Sequence, residues 1–228
     1  MILPETQIDN VAEMNNLTVP IEKRDHKRGY QVAKRTLDIV LSLIGIVISA
    51  VPMVIISVLI KIESPGPAIY VHHRIGKNGK PLPLLKFRSM YVNADELMKE
   101  FTPDQKEEFE KNFKLEHDPR ITRIGQFLRR SSLDELPQLV NILKGDLSVV
   151  GPRPVVTEEL EKYGENRAKF LSVTPGLTGY WQAYARSTCT YEQRMEMELF
   201  YVEKANLWWD IKIMFATVGA VLRGKGAK

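Results

Sequence analysis

One cysteine, Cys189, and four histidines stand in 228 residues. A lone thiol closes no intramolecular disulfide, so the fold has no cystine framework, in keeping with a reducing compartment. The same scarcity speaks against a soft-metal centre, which draws on several Cys and His ligands. His72 and His73 are neighbours, and on a strand they face opposite sides. A hard, oxygen-ligated ion such as Mg²⁺ remains compatible with this composition. The chain has no Walker A loop and no G-x-G-x-x-G fingerprint, so any nucleotide is held some other way. Zinc-finger spacing and aromatic RNP-like runs are missing too, and nucleic acid is not an expected partner. No internal repeat is present.

The largest absence is of charge. Residues 39–60 form a run of 22 without one charged side chain. As a straight helix it is roughly 33 Å long, against a bilayer hydrocarbon core of roughly 30 Å. The chain is therefore expected at a membrane. A cleavable signal peptide fits poorly, because the run begins near position 39 and no small-residue cleavage site follows it. Lys23, Arg24, Lys27, Arg28, Lys34 and Arg35 precede the run. Lys61, Arg74, Lys77, Lys80, Lys86 and Arg88 follow it, opposed only by Glu63. By the positive-inside rule both flanks belong in the cytoplasm. Pro52 reconciles them: it removes one helical hydrogen bond and divides the run into arms of roughly 20 and 14 Å, each too short to cross. That pattern predicts a re-entrant helix broken at Pro52, with one kinked spanning helix as the alternative.

The rest of the chain carries a net charge of +4 in total and suits an anionic lipid surface or phosphate-bearing substrates. Residues 68–75 and 82–87 read as strands, joined through Asn78-Gly79, a pair that favours a type I′ turn. Residues 94–115 read as one or two exposed helices. Residues 131–144 read as one helix, with Leu133, Leu136, Val140 and Leu143 on one face and Gly145 as its stop. Residues 158–163 and 191–205 are expected to be helical. Residues 208–222 form an amphipathic segment whose Trp208, Trp209, Ile211, Ile213, Met214 and Phe215 suit the membrane interface. The fold class is thus α+β, mainly helical: a re-entrant membrane helix, a short β-hairpin, a helical core and interfacial amphipathic helices.

Three stretches concentrate chemistry. In the first, Asp134 and Glu135 follow Arg129 and Arg130, in the first turn of the expected helix. A helix N-terminus there favours an ionised carboxylate and an incoming phosphate, and an ionised aspartate can attack phosphorus. The bland reading is a capping box, Ser132-x-x-Glu135, with Asp134 answering only the helix dipole. The second stretch, Gly151-Pro152-Arg153-Pro154, fixes an arginine between two prolines, either as a phosphate clamp or as a rigid loop. The third, 175–182 followed by Arg186, offers Gly176 and Gly179 for close backbone approach to a ligand, or for a core turn.

Taken together, the chain resembles the bacterial sugar transferase family, the small monotopic phosphoglycosyl transferases that start glycan assembly on polyprenyl phosphate. Seven stretches carry the likeness in order: Lys34-Arg35-Thr36-Leu37-Asp38, Ser64-Pro65-Gly66-Pro67, Lys86-Phe87-Arg88-Ser89-Met90, residues 118–125, 133–139, 144–154 and 175–179. The resemblance implies an Asp-Glu dyad, Asp134 and Glu135. Asp134 attacks the β-phosphorus of a UDP-sugar, UMP leaves, and polyprenyl (undecaprenyl) phosphate takes the phosphosugar from the enzyme. It implies Mg²⁺ at Asp134 and a substrate-binding set of Lys86, Arg88, Arg129, Arg153 and Arg186. It implies a place at the cytoplasmic leaflet of the bacterial inner membrane, early in exopolysaccharide assembly, and is compatible with a homo-oligomer. The parts are then a polar extension 1–29, a membrane helix 30–62 and a catalytic domain 63–228, the catalytic core of longer relatives with further N-terminal membrane helices.

Three departures from the family pattern stand out: Val51 rather than Ser before Pro52, with Ser49 near enough to bond a freed carbonyl; Ala185; and Glu198 where an aspartate is usual. The last two are expected to bear on sugar choice. The competing class is a non-catalytic, membrane-anchored scaffold or regulator of glycan assembly.

Overall fold

The fold is that of a computed structural model, which describes residues 28–112, 115, 117–185 and 189–222. Helix α1, Arg28–Glu63, holds the whole apolar run. It continues through Pro52 as one helix, not as two separate arms, which corrects the expected break. Proline forfeits a single hydrogen bond, and the turns on both sides are long enough to carry the helix past it. Ser49 bonds the Gly45 carbonyl at 2.6 Å, one turn back in its own ladder, not the carbonyl that Pro52 leaves free. Ser57 does the same with Met53.

One face of α1 is buried along its length, through Asp38, Ser42, Ser49, Ile56 and Ile60. The opposite face exposes Val40, Leu43, Val47, Val51, Val54, Val58 and Ile62 among others. Both ends of the helix are fastened to the same body. Arg35 donates to the Ile142 and Leu143 carbonyls, Lys34 to the Val150 carbonyl and Asp210, and Asp38 accepts from Ser148 and the Val149 amide. At the far end Glu63 accepts from the Arg123 and Ile124 amides at 2.8 and 2.9 Å. Between them, Met53, Ile56 and Ile60 pack with Ala68, Phe87 and Leu128. The basic pair Lys34-Arg35, counted above as a topology signal, therefore also acts as a clasp.

Strands β1 (Ile69–Ile75) and β2 (Pro81–Phe87) form the expected antiparallel hairpin. Asn78 and Gly79 have φ of 58° and 76°, as a type I′ turn requires. The register pairs Tyr70 with Lys86, His72 with Leu84 and Arg74 with Leu82, so these side chains share one face. Helices α2 (Ala94–Lys99) and α3 (Pro103–Asn112) follow. Arg120 grips Asp118 by two hydrogen bonds and lies over the rings of Phe101 and Phe109 at 5.1 and 5.0 Å, which docks this segment. Helix α4 (Arg123–Ser131) is capped by Thr122.

The single helix expected over 131–144 is divided. Ser132 turns left-handed (φ 58°) and ends α4, Leu133–Glu135 form one 3-10 turn, and α5 is only Gln138–Lys144, entered through Pro137. The amphipathic spacing ran across the break because Leu133 and Leu136 still reach the core beside Phe87 and Leu128. Strand β3 (Ser148–Val150) then pairs in parallel with β4 (Gly176–Thr178). The chain forms the short helices α6 (Thr157–Glu161) and α7 (Arg167–Phe170) between these two strands and α8 (Tyr180–Tyr184) after them. Helices α9 (Tyr191–Lys204) and α10 (Leu207–Leu222) close the body. Asp210 of α10, 1% exposed, binds Tyr30, Lys34 and Tyr201 and so ties the last helix to the first. Trp208, Phe215 and Val218 remain exposed on α10, while Trp209 packs against Tyr180 and Phe200.

Candidate active site

The 3-10 turn places Asp134 and Glu135 against β2. Ser132 makes no capping bond with its side chain, so the capping-box reading of this motif does not hold. Asp134 also precedes α5 instead of opening it, and a helix dipole is not what governs its carboxylate. Lys86 is the governing neighbour. Its ammonium donates to Glu135 Oε1 at 2.9 Å and lies 3.6 Å from Asp134 Oδ2. Asp134 is 8% exposed. Burial pushes its carboxyl above the usual carboxylate range, Lys86 and Arg129 pull it down, and Glu135 pushes it up again. The result is a desolvated carboxylate held between cations.

A narrow cleft adjoins this pair. Arg74, Leu84, Lys86, Glu135, Gln138, Arg153, Pro154, Gly176 and Leu177 line it. Three cations thus converge on one acidic residue, a charge balance suited to an anionic ligand. The shared strand face explains the gathering of Arg74 and Lys86. His72 on that face is pushed down to about 2 by burial and by Arg74, Lys86 and Arg153, which leaves its imidazole neutral. Arg74 falls to about 10, chiefly through burial, and pairs with Glu159 at 3.1 Å. Arg74, read from the sequence only as a flanking charge, and Gln138 are not among the expected ligand residues. Two-residue alternation from Lys86 across the hairpin is the signal that would have found Arg74.

The other expected ligand residues divide. Arg153 lines the cleft. Arg129 donates to Ser89 at 2.8 Å and acts on Asp134 through its charge. Arg88 is not among the residues lining the cleft. Its guanidinium donates to the Ser64 and Pro65 carbonyls, holding the turn after α1 closed, and the residue is 7% exposed. Arg186 lies outside the described residues. Gly176 and Gly179 serve close backbone approach to Gly151, and Gly176 also lines the cleft. A Cβ on Gly176 meets the Gly151 amide at 2.0 Å, and one on Gly179 meets the Gly151 carbonyl at 2.3 Å. Glu198, expected to bear on sugar choice, is 2% exposed and is not among the residues lining the cleft.

Among the described residues no cluster of three or more His, Cys, Asp or Glu comes together. Asp134 and Glu135 offer two hard oxygen donors. That small set fits Mg²⁺, which keeps several waters and takes phosphate oxygens from its substrate.

A model of the family described as bacterial sugar transferase matches residues 29–224. The chain is 48% identical over 228 residues to the undecaprenyl-phosphate galactose phosphotransferase of Salmonella typhimurium, covering 99% of this chain and 48% of that protein. It is 41% identical over 199 residues to the exopolysaccharide production protein ExoY of Rhizobium meliloti, covering 86% of this chain and 88% of that one. It is 36% identical over 233 residues to the UDP-glucose:undecaprenyl-phosphate glucose-1-phosphate transferase of Escherichia coli, covering 96% and 47%. The chain thus spans about half the length of the Salmonella and Escherichia relatives. From Gly29 to the end of α10 it is built as they are in sequence, and it belongs to the bacterial sugar transferase family.

Proposed function

We propose that this chain transfers a sugar-1-phosphate from a UDP-sugar to polyprenyl phosphate at the cytoplasmic face of the inner membrane. The observation that carries the reading is the buried Asp134, 3.6 Å from Lys86, which together with Glu135 lines a cationic cleft. The substrates follow from relatives named for undecaprenyl-phosphate galactose and glucose transfer.

Asp134 Oδ attacks the β-phosphorus. The bond from that phosphorus to the bridging oxygen breaks, UMP leaves with the electron pair, and the phosphosugar remains on Asp134 as an acyl phosphate. An oxygen of polyprenyl phosphate then attacks the same phosphorus, and Asp134 leaves as carboxylate. Lys86, Arg129 and Arg153 hold the diphosphate and lower the repulsion between it and the nucleophile. Arg74 adds charge to the same cleft. Asp134 would hold Mg²⁺, and the ion, when bound, would supply further positive charge against that repulsion. The test is direct. The purified chain is incubated with UDP-galactose, UDP-glucose or UDP-N-acetylgalactosamine, undecaprenyl phosphate and Mg²⁺, and UMP is measured. Release with at least one donor is expected; none with any donor defeats the reading.

The membrane geometry follows from α1. A helix of 36 residues rises roughly 54 Å, yet one body touches both its ends, while its outer face is continuously apolar. We read α1 as bent at Pro52 but not broken, its apolar face set into the cytoplasmic leaflet and both ends kept on the cytoplasmic side, with the exposed apolar residues of α10 beside it. Gly29→Cys and Lys80→Cys are both expected to resist an impermeant thiol reagent in intact cells, with the native Cys189 chain as control. Labelling of the Lys80→Cys chain from outside means that α1 spans the membrane, and the topology is wrong.

A further inference from the structure

The sharpest feature that the reaction above leaves unused is a carboxylate behind the cleft. Glu198, on α9, is 2% exposed. Its Oε1 accepts the backbone N–H of Arg153 at 3.1 Å, and its Oε2 accepts the Tyr163 hydroxyl. Arg194, one turn earlier on the same helix, brings Nε to 3.6 Å of Oε1.

The chemistry of the loop makes the first of these bonds decisive. Arg153 stands between Pro152 and Pro154, and proline has no N–H. The Arg153 amide is therefore the one backbone donor across 152–154, and Glu198 takes it. On its other side the loop is sewn to β4: Gly151 donates to the Thr178 carbonyl at 2.8 Å, and Gly176 donates to the Pro152 carbonyl at 2.9 Å. Glu198 is thus the anchor that fixes the loop from the α9 side. The anchor is itself braced. Arg194 also donates to Glu159 at 3.2 Å, Glu159 accepts from Arg74 at 3.1 Å, and the Arg194 guanidinium lies over Trp181 at 4.7 Å. A line of paired charges runs from Glu198 through Arg194 and Glu159 to Arg74, and both its ends reach cleft cations, Arg153 and Arg74.

We propose that Glu198 is a positioning residue for the transfer: it sets the Gly151–Pro154 turn so that the Arg153 guanidinium is held ready in the cleft before the donor arrives. The proposal rests on Arg153 being a diphosphate contact. A flexible arginine must be ordered on binding, whereas one fixed in advance spends none of its interaction on ordering. Glutamate suits the task because its side chain reaches from the helix to the loop amide at 3.1 Å; with this helix-to-loop spacing aspartate, one methylene shorter, keeps that contact only if the backbone shifts. Glutamine keeps an acceptor oxygen for the Arg153 amide, so it retains the anchor while losing the charge.

The test is a double-mutant cycle on the full chain, read as kcat/KM for the UDP-sugar found active above, with calorimetric binding of UDP as a second readout. Glu198→Ala is expected to lower donor kcat/KM about ten-fold, comparable to losing one charge-assisted contact. It is expected to weaken UDP binding in parallel and to leave kcat/KM for polyprenyl phosphate within about two-fold. Glu198→Gln is expected to restore most of the loss. In an Arg153→Ala background, Glu198→Ala is expected to add less than about two-fold, because its effect passes through Arg153. Multiplicative losses in the double variant overturn the proposal, as do equal losses for donor and acceptor. If Glu198→Ala is unfolded at the assay temperature, the same cycle with Glu198→Asp decides on the same terms. A wild-type chain that neither binds UDP nor releases UMP defeats the assigned function, and the role of Glu198 falls with it.

Discussion

Asp134→Asn is expected to abolish transfer while leaving the fold intact. The amide is nearly isosteric with the carboxylate. It also removes an anion that burial already disfavours, since desolvation is the largest influence raising the Asp134 carboxyl. Lys86 keeps its closer partner, Glu135 at 2.9 Å, so no cation is stranded. Melting temperature in detergent should therefore stay within a few degrees of wild type, whereas UMP release should fall by at least about three orders of magnitude, as when a covalent nucleophile is lost. The wild-type pH profile carries a matching signature. Protonation silences the nucleophile. Because its carboxyl is raised, activity should fail on acidification at a higher pH than an ordinary aspartate would dictate. An Asn variant that turns over at more than a few per cent of wild type removes Asp134 as nucleophile. Direct in-line transfer, with this residue as metal ligand or base, would then replace covalent catalysis.

Removing Lys86 should have the next largest effect, and a diagnostic one. Its ammonium is the first-ranked influence holding the Asp134 carboxyl down. It also faces Glu135 and the cleft into which the diphosphate must fit. Lys86→Met leaves two adjacent carboxylates with Arg129 as the remaining cation that acts on Asp134. Loss of one charge-assisted contact costs roughly 1.5–3 kcal/mol, or about 10- to 150-fold in rate. The sign of the pH effect separates a chemical role from mere packing. Without Lys86 the Asp134 carboxyl rises further, so the acid limb of the kcat/KM profile should move to higher pH. Raising the pH should then recover part of the activity. Lys86→Arg should restore much of the charge effect. An acid limb that stays where wild type has it would show that Lys86 does not set the ionisation of Asp134.

Local chemistry was legible in the sequence wherever partners lie close together in the chain. Asn78-Gly79 specified its hairpin turn, and the uncharged run specified α1. Thr190 and Gln193 form a capping box at the start of α9, near the expected position. What could not be read depends on contacts across long separations. Lys34 and Arg35 read as a membrane flank and Asp38 as one end of the motif they open, but their partners lie more than 100 residues away, in α5, β3 and α10. Arg88 looked like a companion of Lys86 in one motif. The turn at Ser64 and Pro65 claims its guanidinium, and nothing adjacent announces that. The division of 131–144 falls at Ser132, whose left-handed backbone no neighbouring residue announces, while Leu136 and Pro137 both keep helical angles. Hydrophobic spacing masked it. Strands β3 and β4, three residues each, are too short for any alternation to show.

The covalent step is tested most directly without the acceptor. Wild-type chain is mixed with its UDP-sugar, labelled in the β-phosphate, and Mg²⁺, in the absence of polyprenyl phosphate, then quenched and separated. One equivalent of UMP per active chain should appear in a burst. The label should remain on the protein, on the peptide that contains Asp134, and should leave it when polyprenyl phosphate is added. Labelled UMP should exchange into UDP-sugar under the same conditions. UMP that forms only when polyprenyl phosphate is present, with no label on the chain, contradicts a phosphosugar carried by Asp134.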